Sequence, residues 1–305
     1  MPYARWLSLV VVAACVVGCG VRHVTGASAR DASGTFRSGG MDRTYLLHVP
    51  PENPVGLVLS LHGGGGTGNG QRVLTEFDTV ADAHNLLVVY PDGYEKSWAD
   101  GRGASPADRR HVDDVGFLVG LAGKLQNDYG IAPGHVFATG MSNGGFMSNR
   151  LACDRADVFA AIAPVAGTLG VGVVCNPSRP LSVWAAHGTA DPLVPFKGGD
   201  VRGRGGVSRA ISANGMVSKW RSANGCPGDP SVQALPNAGD GTVVRRFDST
   251  GCTASTEVVF YQIDSGGHTW PGGKQYLPRA VIGRTTRALD GSEAIAQFFL
   301  EHARD

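Results

Sequence analysis

The 305-residue chain has almost no net charge: 27 lysines and arginines stand against 26 acidic residues, leaving +1 at pH 7. That balance removes the electrostatic case for nucleic acid or an anionic surface as a partner. Cysteines are few, six in all, and neither they nor the nine histidines fall at zinc-binding spacing. No metal is expected, and no organic cofactor is required. The chain has no internal repeat and no linker that would mark off a second folded domain. Beyond Val17 no apolar run is long enough to cross a bilayer. The longest glycine run does not end in Gly-Lys-Ser/Thr, which excludes a phosphate cradle. Glycine, by contrast, is abundant: 45 of 305 residues, about twice the usual ~7%. Together with 42% apolar residues, this describes a loop-rich folded protein and argues against disorder.

The first residues read as a leader. Arg5 supplies a positive start, Trp6 to Val17 is a short apolar run, and Val16-Val17-Gly18-Cys19 resembles the lipobox of bacterial lipoproteins. That resemblance implies a signal peptide over 1–18 and a lipid-modified Cys19. The protein would then be exported and anchored to the outer face of the cytoplasmic membrane. Residues 19–34 are expected to be the lipidated cysteine and a flexible tether, and 35–305 the folded domain. With Cys15 removed and Cys19 lipidated, Cys153, Cys175, Cys226 and Cys252 remain. An even number in an exported domain suggests two disulfides. Of the three possible connectivities, Cys153–Cys175 and Cys226–Cys252 close the shortest loops.

Along the chain, strand-like and helix-like segments alternate. Arg43–Val49 follows Gly39-Gly40 and predicts a hairpin. Leu57–Leu61, Leu86–Tyr90, Val136–Thr139, Ala160–Val165, Leu181–Ala186, Thr242–Phe247 and Val258–Ile263 predict strands, the most apolar of them buried on both faces. Helices are expected with Val73, Phe77, Val80 and Ala81 on one face, from Asp113-Asp114 to Gly130, from Phe146, over most of 207–223 with a break near Asn214-Gly215, and from an Asp290/Glu293 capping box to His302. The segment 94–112 is polar. Such alternation describes a doubly wound, mostly parallel α/β sheet flanked by helices, in a single domain.

The chemistry-bearing residues sit at the ends of these strands. Gly140-Met141-Ser142-Asn143-Gly144 has the G-x-S-x-G form of a nucleophile elbow, a strained strand-to-helix turn whose glycines make room for an exposed serine. In a chain this rich in glycine, chance alone supplies about 0.4 such matches, so the partners decide. A serine hydroxyl needs a base, and the base needs an orienting acid. Asp191, just past the strand 181–186, and His268, behind Gly266-Gly267, follow Ser142 in the order used by α/β-hydrolases. His302 lies in the last helix and is less well placed. An oxyanion hole needs backbone N–H groups. Asn143 follows the serine, and Gly63 and Gly64 follow the strand 57–61 in His62-Gly63-Gly64-Gly65-Gly66. Trp270 and Trp98 are expected to wall an acyl or aromatic pocket.

Leu61-His62-Gly63-Gly64-Gly65, Tyr90-Pro91-Asp92-Gly93, Asp113-Asp114-Val115-Gly116-Phe117, Gly140 to Gly145, His187-Gly188-Thr189-Ala190-Asp191, Gly267 to Gly273 and Trp220 to Cys226 together resemble the polyhydroxybutyrate depolymerase and feruloyl/acetylxylan esterase family. The resemblance covers about residues 35–300. It implies the α/β-hydrolase fold, a Ser142-Asp191-His268 triad, hydrolysis of carboxylic esters through an acyl-enzyme, and the same two disulfides. Short-chain acyl, hydroxyalkanoate and feruloyl or acetyl-sugar esters all remain open as substrates. Two alternatives stand beside it: an acyltransferase acting on cell-envelope sugars, and a non-catalytic surface-binding lipoprotein on a hydrolase scaffold.

Overall fold

Leu57, Leu59 and Leu61 point to one side of a sheet and Val58 to the other, and all four are fully buried. That is the signature of a strand covered on both faces, and it repeats through the centre of the protein. The computed structural model describes residues 29–203 and 205–304. The proposed leader and Cys19 lie outside the described residues.

The hairpin β1 (Arg30–Ser38) and β2 (Met41–Val49) turns at Gly39 and Gly40. Next come β3 (Gly56–Leu61), α1 (Gly68–Thr75), α2 (Phe77–His84), β4 (Leu86–Pro91), the short α3 (Pro106–Arg109), α4 (Asp114–Tyr129), β5 (Val136–Met141), α5 (Asn143–Arg155), β6 (Ala161–Val165) and β7 (Ser182–Gly188). A separate hairpin, β8 (Gly199–Gly203) and β9 (Gly206–Ala210), is followed by α6 (Ala213–Ala223), β10 (Ser231–Ala234), β11 (Val243–Ser249), β12 (Val258–Asp264), the short α7 (Arg279–Ile282) and α8 (Gly291–Glu301). Among the described residues, ten strands form one sheet in the order β1-β2-β4-β3-β5-β6-β7-β12-β11-β10. The six from β4 to β12 run parallel, and antiparallel strands close each edge. This is the α/β-hydrolase architecture in a single domain. One apolar layer packs under α4, α5 and α6. The other lies under α2 and α8, where Phe137 stacks on Phe299 with ring centres 4.7 Å apart.

Several boundaries differ from the expectation. β1 begins at Arg30, inside the stretch read as tether, because each of its residues pairs with β2. The helix expected through Val73 and Ala81 is two helices, broken where Glu76 adopts φ 51°. Residues 206–210 are strand, and α6 starts after Ser212, whose hydroxyl accepts the Gly215 N–H, with no break at Asn214-Gly215. The Asp290 carboxylate caps α8, but Glu293 turns away to His84 and Gln297, leaving only half of the capping box. The spans expected for α4, with Asp113 and Gly130 as its caps, and for the central strands agree with the structure.

The disulfides Cys153–Cys175 and Cys226–Cys252 are both present, spanning 22 and 26 residues. Such bridges fit an exported protein. Opening the second with Cys226→Ser and Cys252→Ser is expected to cost about 3 kcal/mol, read as a lower denaturant midpoint. An unchanged midpoint would contradict it.

His48 ties the edge hairpin to α2. Its Nδ1 lies 3.1 Å from Asp31 and its Nε2 2.9 Å from Asp82, with Asp78 at 3.7 Å. Burial pushes its pKa down, but the hydrogen bonds to Asp31 and Asp82 and the charges of Asp78 and Asp82 outweigh it, so the net shift is upward from 6.5. A raised folded-state value stabilises fully below the ordinary pKa and is lost as pH rises through the folded one. His48→Gln is therefore expected to cost more stability at about pH 5 than at about pH 9. Urea midpoints that fall equally at both would refute this.

Candidate active site

The strand order reverses between β3 and β5, and the site lies at their carboxyl ends, where an open α/β sheet has its crevice. Ser142 follows β5 with φ 57° and ψ −120°, a conformation an L-residue keeps only when its surroundings force it. Its N–H donates to Val165 O at 2.9 Å. The flanking glycines are obligatory. A Cβ on Gly140 would stand 2.6 Å from Leu61 O, and one on Gly144 2.1 Å from the same oxygen. The turn is thus pressed directly against the end of β3.

His268 and Asp191 come together as the sequence suggests. Asp191, just past β7, accepts the His268 Nδ1–H on Oδ2 at 2.8 Å. Its Oδ1 accepts the N–H groups of Leu193 and Val194, each at 2.8 Å. Burial raises the Asp191 pKa, but the charge and hydrogen bond of His268 together with the Val194 N–H outweigh it, so the carboxyl is held below 3.8. His268 is carried by a loop that only glycine can build. A Cβ on Gly267 would lie 2.0 Å from Ile282 O, and the His268 N–H donates to that oxygen at 2.6 Å. Tyr276 donates its hydroxyl to His268 O at 3.1 Å. His187 lies beneath and is not a competing base. Its Nε2–H donates to Val194 O at 2.9 Å, and burial lowers its pKa, so it is neutral.

Ser142 and His268 line one cavity of about 520 Å³ together with Gly63, Gly64 and Asn143. Among the described residues, Ser142 Oγ and His268 Nε2 make no hydrogen bond, to each other or to a third group. Such contacts often tighten only when substrate is present. A Cβ on Gly63 would stand 4.0 Å from Ser142 Oγ, which shows how closely bare backbone approaches the hydroxyl. The N–H groups of Gly63, Gly64 and Asn143 donate to no protein acceptor among the described residues, so they are available to an oxyanion.

Trp98 and Trp270 are not the pocket walls expected from the sequence. Both are fully buried and neither lines the cavity. Trp270 packs in the core under α8 and donates its Nε1–H to Ser292 at 3.0 Å. Trp98 is a strut. Its Nε1–H donates to His62 O at 2.9 Å, its N–H donates to Asn143 Oδ1 at 2.8 Å, and its carbonyl accepts Asn143 Nδ2–H at 3.1 Å. It therefore ties the glycine loop to the residue after the serine. Asp100 also accepts from Asn143 Nδ2, at 2.6 Å, and Asp114 holds the stretch by accepting the Ala99 N–H at 2.7 Å. His62 donates Nδ1–H to Gly63 O and accepts the Gly93 N–H on Nε2, so it braces the loop and is not a base.

Trp98→Phe removes one strut bond and leaves the main-chain pair to Asn143. We expect kcat for an ester to fall about tenfold with little change in KM, because the bond orients oxyanion donors. A fall in KM-dependent binding alone would contradict this.

The walls that sequence reasoning missed are Arg102, Leu193, Val194, Tyr276 and Leu277, with residues of β8 and β9. Each arrives through a loop or a local hairpin and carries no spacing signal. Asp31, His48 and Asp78 place three potential metal ligands within 4.8 Å of one another. Arg72 already pairs with both carboxylates, and none of the three lines the cavity.

No protein-family model matches the chain. NocK of Nocardia uniformis subsp. tsuyamanensis, named as an esterase, is 32% identical over 88% of this chain and 83% of its own length. Feruloyl esterase C of Emericella nidulans is 31% identical over 74% of this chain and 76% of its own. Among solved structures, an acetyl xylan esterase from Aspergillus awamori superposes with a TM-score of 0.53 at 15% identity, over 78% of this chain and 94% of that one. The structural likeness is one of fold.

Proposed function

This chain belongs to the esterase family that holds NocK and the feruloyl esterases C and is a carboxylic ester hydrolase, and we propose that it works through Ser142, His268 and Asp191 in two acyl-transfer steps. Ser142 Oγ attacks the ester carbonyl while His268 Nε2 takes its proton. The Asp191 carboxylate keeps the other ring proton on Nδ1 and steadies the imidazolium that forms. The N–H groups of Gly63, Gly64 and Asn143 receive the developing oxyanion. His268 then protonates the leaving alcohol, and a water activated by the same nitrogen releases the acid and restores Ser142.

The observation that carries this reading is the 2.8 Å bond from His268 to Asp191, in a loop whose imidazole lines the same cavity as the strained Ser142. A fluorophosphonate probe tests it. The expected result is one label per chain, mapped to the peptide containing Ser142. A label elsewhere, or none, would overturn the assignment. The names of the feruloyl esterase relatives support substrates in the feruloyl range, beside the acetyl-sugar esters that the sequence resemblance implies. Product analysis with an added sugar acceptor separates hydrolysis from acyl transfer.

Lipid anchoring belongs to the same proposal. Cys19 carries the lipid, the protein is exported, and the domain sits at the outer face of the cytoplasmic membrane. Cys19→Ser is expected to move the protein from the membrane fraction into the soluble one, and an unchanged membrane share would refute the anchor.

A further inference from the structure

The chain holds nearly equal numbers of basic and acidic residues, yet the cavity does not. Among the described residues Arg102 and Arg202 line it, and no aspartate or glutamate does. The two arginines are set differently. Arg102 is a built-in wall with a side chain 10% exposed. It donates to Asp100 through Nε at 3.1 Å and Nη2 at 2.7 Å, and its guanidinium lies 3.7 Å above the Phe146 ring. Its Nη1 donates to the buried Ser208 on β9 at 3.2 Å. The pairing with Asp100 balances its charge and fixes its plane.

Arg202, on β8, is exposed and has neither an ion pair nor a hydrogen bond among the described residues. Arg109, on α3, donates to the carbonyl of Gly205, which also lines the cavity, and likewise meets no carboxylate. The acids of this neighbourhood are already engaged. Asp100 serves Arg102, Asp200 on β8 pairs with Arg209, and Asp108, next to Arg109 in the chain, accepts from the Ser105 hydroxyl and the Gly101 N–H. Among the described residues the charge of Arg202 is therefore left without a partner at the mouth, beside a fixed guanidinium edge and a hydroxyl within.

We propose that this esterase acts on esters that carry a second, negatively charged group, a carboxylate in the simplest case, held by Arg202 and by the outer edge of Arg102 with Ser208. The inference rests on the hydrolytic reading above and names its substrate class. A planar carboxylate matches the guanidinium fork. Arg102 is held in place before substrate arrives, which lowers the ordering cost of binding. A cavity walled by protein focuses the field of Arg202 and rejects cationic esters. The anionic group can sit on the acid half or the alcohol half of the ester.

Two matched pairs of esters test the proposal on the purified full chain. Nitrophenyl hydrogen adipate against nitrophenyl hexanoate probes the acid half, and para-acetoxybenzoate against para-acetoxybenzamide the alcohol half, each corrected for its rate without enzyme. At low salt, at least one pair is expected to show a kcat/KM about fivefold higher for the charged member. Arg202→Gln should bring that ratio toward one, and added salt should do so in the wild type but not in the variant. Ratios at or below one in both pairs would overturn the proposal. So would a preference that neither salt nor Arg202→Gln changes. Failure of all four esters to be turned over would instead strike the hydrolytic reading, so the two failures are told apart.

Discussion

Ser142→Ala is expected to leave a folded protein whose kcat for a nitrophenyl ester is lower by at least about 10⁴-fold. The fold should not notice the change. Alanine keeps the same Cβ at φ 57°, so the elbow gains no strain and loses none. The Ser142 hydroxyl makes no hydrogen bond among the described residues, so its removal strands no partner. Stability should shift by less than about 0.5 kcal/mol. Thermal unfolding and turnover measured on one preparation check both halves. Activity within tenfold of wild type in an intact variant would remove Ser142 from the mechanism.

Asp191→Asn is expected to cost about 10⁴-fold in kcat, for a reason visible in the bonds it makes. Both carboxylate oxygens accept: Oδ2 takes the His268 Nδ1–H, and Oδ1 takes the Leu193 and Val194 N–H groups. An amide has only one oxygen. If that oxygen faces the two N–H groups, the NH₂ faces Nδ1 and drives the ring proton to Nε2, the atom that must accept the proton of Ser142. If it faces His268, two buried donors lose their acceptor, at about 1–3 kcal/mol each. The wild-type carboxyl, held below its ordinary pKa, stays charged throughout the neutral range. Its contribution is complete above the ordinary carboxylate value and is lost as pH falls through the lowered one. Turnover at neutral pH decides the matter. An Asp191→Asn enzyme retaining a tenth of the wild-type rate would mean that Asp191 does not orient the base.

The parts legible in the sequence were those with a steric or periodic cause. Gly140 and Gly144 announce an elbow because a Cβ at either would strike Leu61 O. Asp191 and His268 were found because each follows an apolar strand closely. Cys153, Cys175, Cys226 and Cys252 pair as nearest neighbours. What stayed hidden depends on contacts distant in sequence. Trp98 looks like a pocket aromatic in a polar loop, and only its three bonds to His62 and Asn143 reveal a brace. Arg30 to Gly34 carries little apolar character, and its strand exists through pairing with β2. The short β8 and β9 sit in a glycine-rich stretch whose composition suits a loop equally well.

That small hairpin pairs with itself in a two-stranded sheet and meets the rest of the protein through the Gly170–Ala210 bridge, the Arg102–Ser208 bond and the packing of Val201 and Ala210 on Phe146 and Val194. No ladder of the large sheet depends on it. Insertion, deletion or replacement among the residues from Gly199 to Ala210, with the buried Val201, Ser208 and Ala210 kept, would leave the hydrolytic apparatus standing while redrawing one side of its entrance. Descendants of one ancestral scaffold could therefore diverge in diet by editing a dozen residues, and variation among relatives should concentrate there.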